Sequence, residues 1–168
     1  MTGDLVSLSA RAVRDLLKDR QVTPLELLEA LETRIAEVNG PVNALPTLCF
    51  ERARARAREQ DFSTLPLAGI PIVIKDLLTV SGVRTTFGSM AYRDHVPKAS
   101  DLLVERIEAA GGIVYAKSNT PEFGAGANTF NDVFGFTRNP WNTALSAAGS
   151  SGGSAVALAT GMAWLATG

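Results

Sequence analysis

The chain has 168 residues, with 16 Lys or Arg against 17 Asp or Glu. That is one domain's length without the strong field that would recruit nucleic acid, an anionic membrane or a polycation. A composition 46% hydrophobic and 20% charged excludes disordered, collagen-like and coiled-coil classes. One cysteine and one histidine allow neither an internal disulfide nor a Cys/His metal cluster. Residues 1–17 lack the basic-then-apolar pattern of a secretory signal, so a reducing cytoplasm is the expected setting.

In chain order, Ser9 to Arg20 predicts a short helix with Val13, Leu16 and Leu17 on one face. Thr23-Pro24-Leu25-Glu26 then places an N-cap, a proline in the first turn and a capping-box glutamate. Leu27, Leu28, Leu31, Ile35 and Val38 follow at helical spacing until Asn39-Gly40-Pro41, which reads as the stop. Phe50 to Gln60, with Arg52, Arg54, Arg56 and Arg58 spread round the cylinder, predicts a solvated third helix.

Beyond Leu65 the pattern changes. Ile72 to Asp76 is a β-branched run bounded by Pro and Gly and predicts a strand. Ser100 is expected to cap a helix with a Leu103, Ile107 and Ala110 stripe, ending at Gly111-Gly112, and Ile113 to Ala116 predicts a second strand. Strand, helix, strand implies a crossover unit with parallel pairing. Pro121 to Trp141 reads as a long packed loop. Gly149 to Ser154 leads into a small-residue helix over Ala155–Ala159, and Met162 to Ala166 predicts a third strand. The 30 residues from 139 to 168 carry no charge. They read as buried, because Gly161 interrupts the apolar stretch Ser154–Thr167, which falls short of a membrane span.

Two segments can carry chemistry. Lys75 ends an apolar strand, where burial lowers a lysine pKa and makes a usable base; its alternative is an amine that reaches solvent from a strand end. Neighbouring side chains on a strand point to opposite faces, so Asp76 need not pair with it. Gly149-Ser150-Ser151-Gly152-Gly153-Ser154 before a helix offers close backbone approach, hydroxyls and free N–H groups for an anion or oxyanion. Its alternative is a helix cap with tight packing. It is neither a Walker loop nor a Gly-x-Ser-x-Gly elbow. A Cys49/His95 pair has no placement that joins it, and Glu122 and Asp132 form a carboxylate pair without specific support.

Together these motifs resemble the amidase signature enzymes, which hydrolyse amides with a Ser–Ser–Lys triad. Gly69-Ile70-Pro71-Ile72-Val73-Ile74-Lys75-Asp76 is similar to the family's lysine motif, and Thr85-Thr86-Phe87-Gly88-Ser89 to the segment after it. Ala116-Lys117-Ser118-Asn119-Thr120-Pro121-Glu122-Phe123 resembles its Lys-Thr-Asn-x-x-Glu-Phe element, with Ser118 in place of Thr. Asn139-Pro140-Trp141 and Ala148 to Ala155 resemble the approach to the signature and its first half, with Ala148 where glycine is usual.

The resemblance implies an α/β fold, the N-terminal part of the amidase signature fold, with a mixed sheet flanked by helices. Residues 1–60 would be a helical segment and 61–168 the first part of the core. Lys75 would be the catalytic base and Ser150 the bridging serine on a cis peptide, supported by Gly149 and Ser151. Phe123, Gly124, Ala125 and Gly126 would line the substrate pocket. The resemblance implies no cofactor and no metal. The partners would be a small-molecule amide and the remaining C-terminal part of the enzyme, with a homodimer allowed and neither nucleic acid nor membrane expected.

The family's nucleophilic serine and oxyanion backbone lie about two dozen residues after the bridging serine, past Gly168. The 168 residues alone are therefore expected to be inactive and poorly soluble. Three alternatives follow. One is a part of the glutaminase subunit of a tRNA-dependent amidotransferase, and another is a non-catalytic binding module retaining the half-fold. The last is a pyridoxal-phosphate enzyme with Lys75 as its Schiff base.

Overall fold

A computed structural model describes residues 5–168. Of the N-terminal stretch read above for a signal pattern, residues 1–4 lie outside the described residues. Helix α1 (Ala10–Lys18) starts at Ser9, whose hydroxyl accepts from the Ala12 N–H, and it buries Val13 and Leu17. Helix α2 (Pro24–Val42) carries the capping box as expected. Thr23 Oγ1 accepts from the Glu26 N–H at 3.2 Å, and Glu26 Oε2 accepts from the Thr23 N–H at 2.7 Å.

The expected stop at Asn39-Gly40-Pro41 is corrected, since α2 runs through both Gly40 and Pro41 to Val42. The termination lies in Asn43, which takes the left-handed conformation (φ 49°, ψ 51°), and in the Asn39 side chain. Its Oδ1 accepts from the Ala44 and Leu45 N–H groups, each at 3.0 Å, and so folds the chain back. A proline this close to the C-terminus interrupts few helical bonds, and the last turn survives it.

After the short strand β1 (Thr47–Leu48), helix α3 (Phe50–Glu59) buries Phe50 and Ala53. It is less solvated than its arginines suggested. Arg52 pairs with Glu108 at 2.7 Å, Arg54 pairs with Glu32 and Glu51, and the Arg56 guanidinium donates to the Glu108 carbonyl.

Strand β2 (Pro71–Lys75), helix α4 (Leu102–Ala109) and strand β3 (Ile113–Ser118) form the expected crossover, with β2 and β3 parallel. The cap of α4 is Asp101 and not Ser100, whose hydroxyl instead accepts from the Ser81 N–H. The stripe is also rotated, for Val104 is fully buried while Leu103 is half exposed. The segment read as a loop contains two small hairpins, β4 (Phe130–Asn131) with β5 (Gly135–Phe136) and β6 (Arg138–Asn139) with β7 (Asn142–Ser146). Helix α5 (Gly152–Ala159) follows, and strand β8 begins only at Leu165 and ends at Ala166. Buried Met162, Ala163 and Trp164 precede it as irregular chain.

The main sheet has the order β1-β3-β2-β8, antiparallel at β1 and parallel elsewhere. One core joins Val73, Tyr115 and Ala116 to Leu27, Leu28 and Leu31 of α2, and a smaller one gathers Ile72, Ile74, Val80, Val104 and Val114. A register irregularity between Ile72 and Val73 pairs Val114 with Ile72 but Ala116 with Val73. Past this bulge Lys117 lies beside Ile74 and Ser118 beside Lys75, inverting the alternation of β3. The uncharged segment 139–168 is only partly buried. Helix α5 packs through Val156 and Ala157, whereas Trp141 is 81% exposed and Leu145 55%. Among the described residues no helix is long and apolar enough to cross a membrane.

Candidate active site

Lys75 and Ser150 are 75 positions apart in the chain, and the sheet brings them together. Lys75 sits at the C-terminal end of β2, its N–H donating to Thr167 Oγ1 at 2.8 Å just past β8. Its side chain leaves the strand on the face of Val73, toward the start of α5. There Nζ donates to Ser150 Oγ and Ser151 Oγ, both at 2.8 Å. Lys75 is 5% exposed, and among the described residues no carboxylate pairs with its amine. Burial, uncompensated by any charge, pushes its pKa below the ordinary lysine value. The expected reading of a strand-end lysine reaching solvent is therefore set aside.

The turn carrying the serines can be built only with glycines. A Cβ on Gly149 would stand 2.9 Å from the Gly126 carbonyl oxygen, and one on Gly153 would stand 2.4 Å from the Asn119 nitrogen. The Gly149–Ser150 peptide is cis. The surrounding bonds are supplied by buried threonines, serines and asparagines. Thr120 Oγ1 donates to the Ser150 carbonyl at 3.2 Å, and Thr129 Oγ1 donates to the Ala148 carbonyl and accepts from the Gly152 N–H. Ser154 Oγ donates to the Thr167 carbonyl at 2.6 Å and lies 2.7 Å from Ser118 Oγ. Asn131 holds Asn119 Oδ1 at 2.7 Å.

Sequence reasoning quotes Ser118, Asn119, Thr120 and Ser154 within motifs but gives them no supporting role, and it does not single out Thr129 or Asn131. The signal present was the density of Ser, Thr and Asn from Ser118 to Ser154, groups that are stable when buried only if each finds a partner.

On the opposite face of β2, Asp76 is 1% exposed and Lys117 fully buried, with Lys117 Nζ 2.8 Å from Asp76 Oδ1. Asp76 Oδ2 accepts from the Thr86 N–H at 3.0 Å and its hydroxyl at 2.6 Å. The expectation that Lys75 and Asp76 point apart holds, while the role of Lys117 as the partner was not foreseen.

Of the expected pocket residues, Ala125 and Gly126 line a cavity of about 380 Å³ together with Glu122, Phe130 and Asp132. Gly124 and Phe123 form the adjoining turn. Phe123 is left-handed (φ 48°), its N–H donating to the Phe87 carbonyl at 2.7 Å. Glu122 and Asp132 thus border one cavity. The Cys49 thiol, pushed up to about 11 by burial, donates to the Val114 carbonyl, whereas His95 packs against Phe87 and Tyr92. Among the described residues no three His, Cys, Asp or Glu side chains gather as a metal-holding group.

A buried amine held between two hydroxyls, with no countercharge, can take a proton from a hydroxyl and return it. This is one of the arrangements that can activate a serine for acyl transfer. The family model described as Amidase matches residues 26–168. The A subunit of glutamyl-tRNA(Gln) amidotransferase from Roseiflexus sp. (strain RS-1) is 42% identical over 162 residues, covering 94% of this chain and 33% of that protein. The solved 6-aminohexanoate cyclic dimer hydrolase superposes with a TM-score of 0.86 at 33% identity, over 94% of this chain and 33% of its own. Fatty acid amide hydrolase shares the fold, with a TM-score of 0.91 at 23% identity over 99% of this chain and 31% of its own. The chain spans about a third of the length of the relatives it matches.

Proposed function

Because this chain belongs to the Amidase family, we propose that it carries the base and the bridging serine of an amide hydrolase. The observation that carries this reading is the buried Lys75 amine, 2.8 Å from Ser150 Oγ and without a carboxylate partner. In the complete protein, neutral Lys75 accepts the Ser150 hydroxyl proton as Ser150 accepts the proton of a second serine, which lies outside these 168 residues. That serine attacks the amide carbonyl. The relayed proton then goes to the departing nitrogen as the C–N bond breaks, leaving a serine ester and a free amine or ammonia. Water, deprotonated by the same relay, attacks the ester, and the serine regains its proton as the acid leaves.

Ser151, the second hydroxyl on Nζ, orients the amine. Ala125 and Gly126, with the turn at Phe123 and Gly124, form the wall toward the substrate. A small-molecule amide, a cytoplasmic setting and assembly with the remaining C-terminal part complete this reading.

The test is amide turnover by the protein at the full length of its relatives. Ser150→Ala is expected to lower kcat by on the order of 10²–10⁴, the usual contribution of positioned proton transfer. Turnover within a few-fold of the native rate would overturn the assignment. The identity to amidotransferase A subunits supports a second reading, in which the amide is glutamine and the ammonia passes to a partner. Glutamine hydrolysis that rises when partner subunits are added separates it from a free-standing amidase.

A further inference from the structure

We propose that Lys117 balances the charge of the Asp76 carboxylate on the far face of β2, so that the Lys75 amine on the other face feels no net countercharge. Asp76 follows Lys75 directly and is buried, which gives it the shortest covalent path of any carboxylate to that amine. A carboxylate free to act there would hold the proton on Lys75, since an opposite charge nearby favours the charged form. Both Asp76 oxygens are instead taken, Oδ1 by Lys117 Nζ and Oδ2 by the Thr86 N–H and hydroxyl. Lys117 is fixed in turn by donating to Thr85 Oγ1 at 2.8 Å. The bulge in β3 makes this pairing available, because it sets Lys117 beside Ile74 and leaves Ser118 beside Lys75.

Among the described residues, the elements packed on the Lys75 face of β2 bring no competing charge, and α4 on the other face carries Glu105, Arg106 and Glu108, the last paired with Arg52. Strand β8, Thr167 and helix α5 are uncharged. The residues α2 buries, from Leu27 to Val42, are all apolar. From the segment between β2 and β3, Asp101 accepts from the Thr79 N–H and hydroxyl. On the Lys117 side, Cys49 is a thiol with its pKa raised to about 11. The two lysines differ accordingly. Burial lowers both, and Asp76 pulls Lys117 back up while no carboxylate does so for Lys75.

This inference rests on reading Lys75 as the base, but its test reads the amine itself and not turnover. The ε-carbons of Lys75 and Lys117 can be titrated by NMR in ¹³C-lysine-labelled protein at the full length of its relatives, each assigned by the signal lost in its Lys→Met variant. In the native chain the Lys75 midpoint is expected below the ~10.4 reference. A Lys75 midpoint at or above that reference overturns the proposal without any variant. Lys117→Met and Lys117→Gln, the latter keeping a donor for Asp76 and Thr85, are expected to raise the Lys75 midpoint by on the order of one pH unit. Asp76→Asn combined with Lys117→Gln is expected to restore it. An unmoved midpoint in a folded Lys117 variant also overturns the proposal. If the full-length protein proves not to hydrolyse amides while these shifts appear, the proposed function fails and this inference stands.

Discussion

Burial of an amine that is 5% exposed and touches hydroxyls disfavours its charged form, and this gives Lys75 a signature in stability. Its folded pKa lies below the unfolded value because burial disfavours the ammonium. Above about pH 10.4 the amine is neutral in both states. As pH falls from there to the folded value, the unfolded chain binds the proton first, so stability declines through that window and levels off below it. Lys75→Met keeps the apolar stem and removes the titrating group. It is expected to raise the urea midpoint at pH 7 relative to the native chain and to shrink that difference at pH 10.5. A stability difference from the native chain that does not change between pH 7 and pH 10.5 would contradict a lowered Lys75 pKa. The possibility of a buried Lys75 was legible from its place after Ile72-Val73-Ile74. Its serine partner was not, because no spacing rule links positions 75 and 150, and only the motif resemblance joined them.

At the scale of elements, local signals were readable where one short segment supplied both partners. The Thr23–Glu26 capping box is such a case, and Thr23→Ala is expected to cost about 1 kcal/mol in urea-induced unfolding. The end of the same helix was misread, since Gly40-Pro41 is an ordinary breaker while the decisive bonds run from the Asn39 side chain to Ala44 and Leu45. The cap of α4 was misread similarly. Ser100 is used by Ser81, nineteen residues away, a contact that only the folded chain creates. Helix α5 turns on close approach. A methyl group on Gly153 would meet the Asn119 backbone nitrogen at 2.4 Å and oxygen at 2.6 Å, neither of which can swing aside. Gly153→Ala is therefore expected to lower the thermal midpoint by several degrees, whereas Gly82→Ala, with open space but φ 73°, should cost much less. Equal effects at the two glycines would contradict the packing of α5 against β3.

Across the whole molecule, the alternation of strand and helix made the parallel β2–β3 pair legible, and the missing charge over 139–168 marked a segment set apart. What that segment does was legible only in part. Its helix packs beneath the site, but the β6–β7 hairpin exposes Trp141 and Leu145. The register irregularity opposite Ile72 and Val73 left no mark in the sequence pattern, yet it sets Lys117 on the face of Asp76. The site therefore divides across β2, with the Lys117–Asp76 pair on one face and the Lys75 amine against the two serines on the other. The most direct test is the pH dependence of kcat/KM for amide hydrolysis by the protein at the full length of its relatives, native and Lys75→Met. The expected result is an ascending limb in the native enzyme, with a midpoint below ~10.4 that matches the Lys75 titration, and its disappearance in the variant with a fall of on the order of 10²–10⁴ in rate. Retention of the limb and of most of the rate in Lys75→Met would contradict the account.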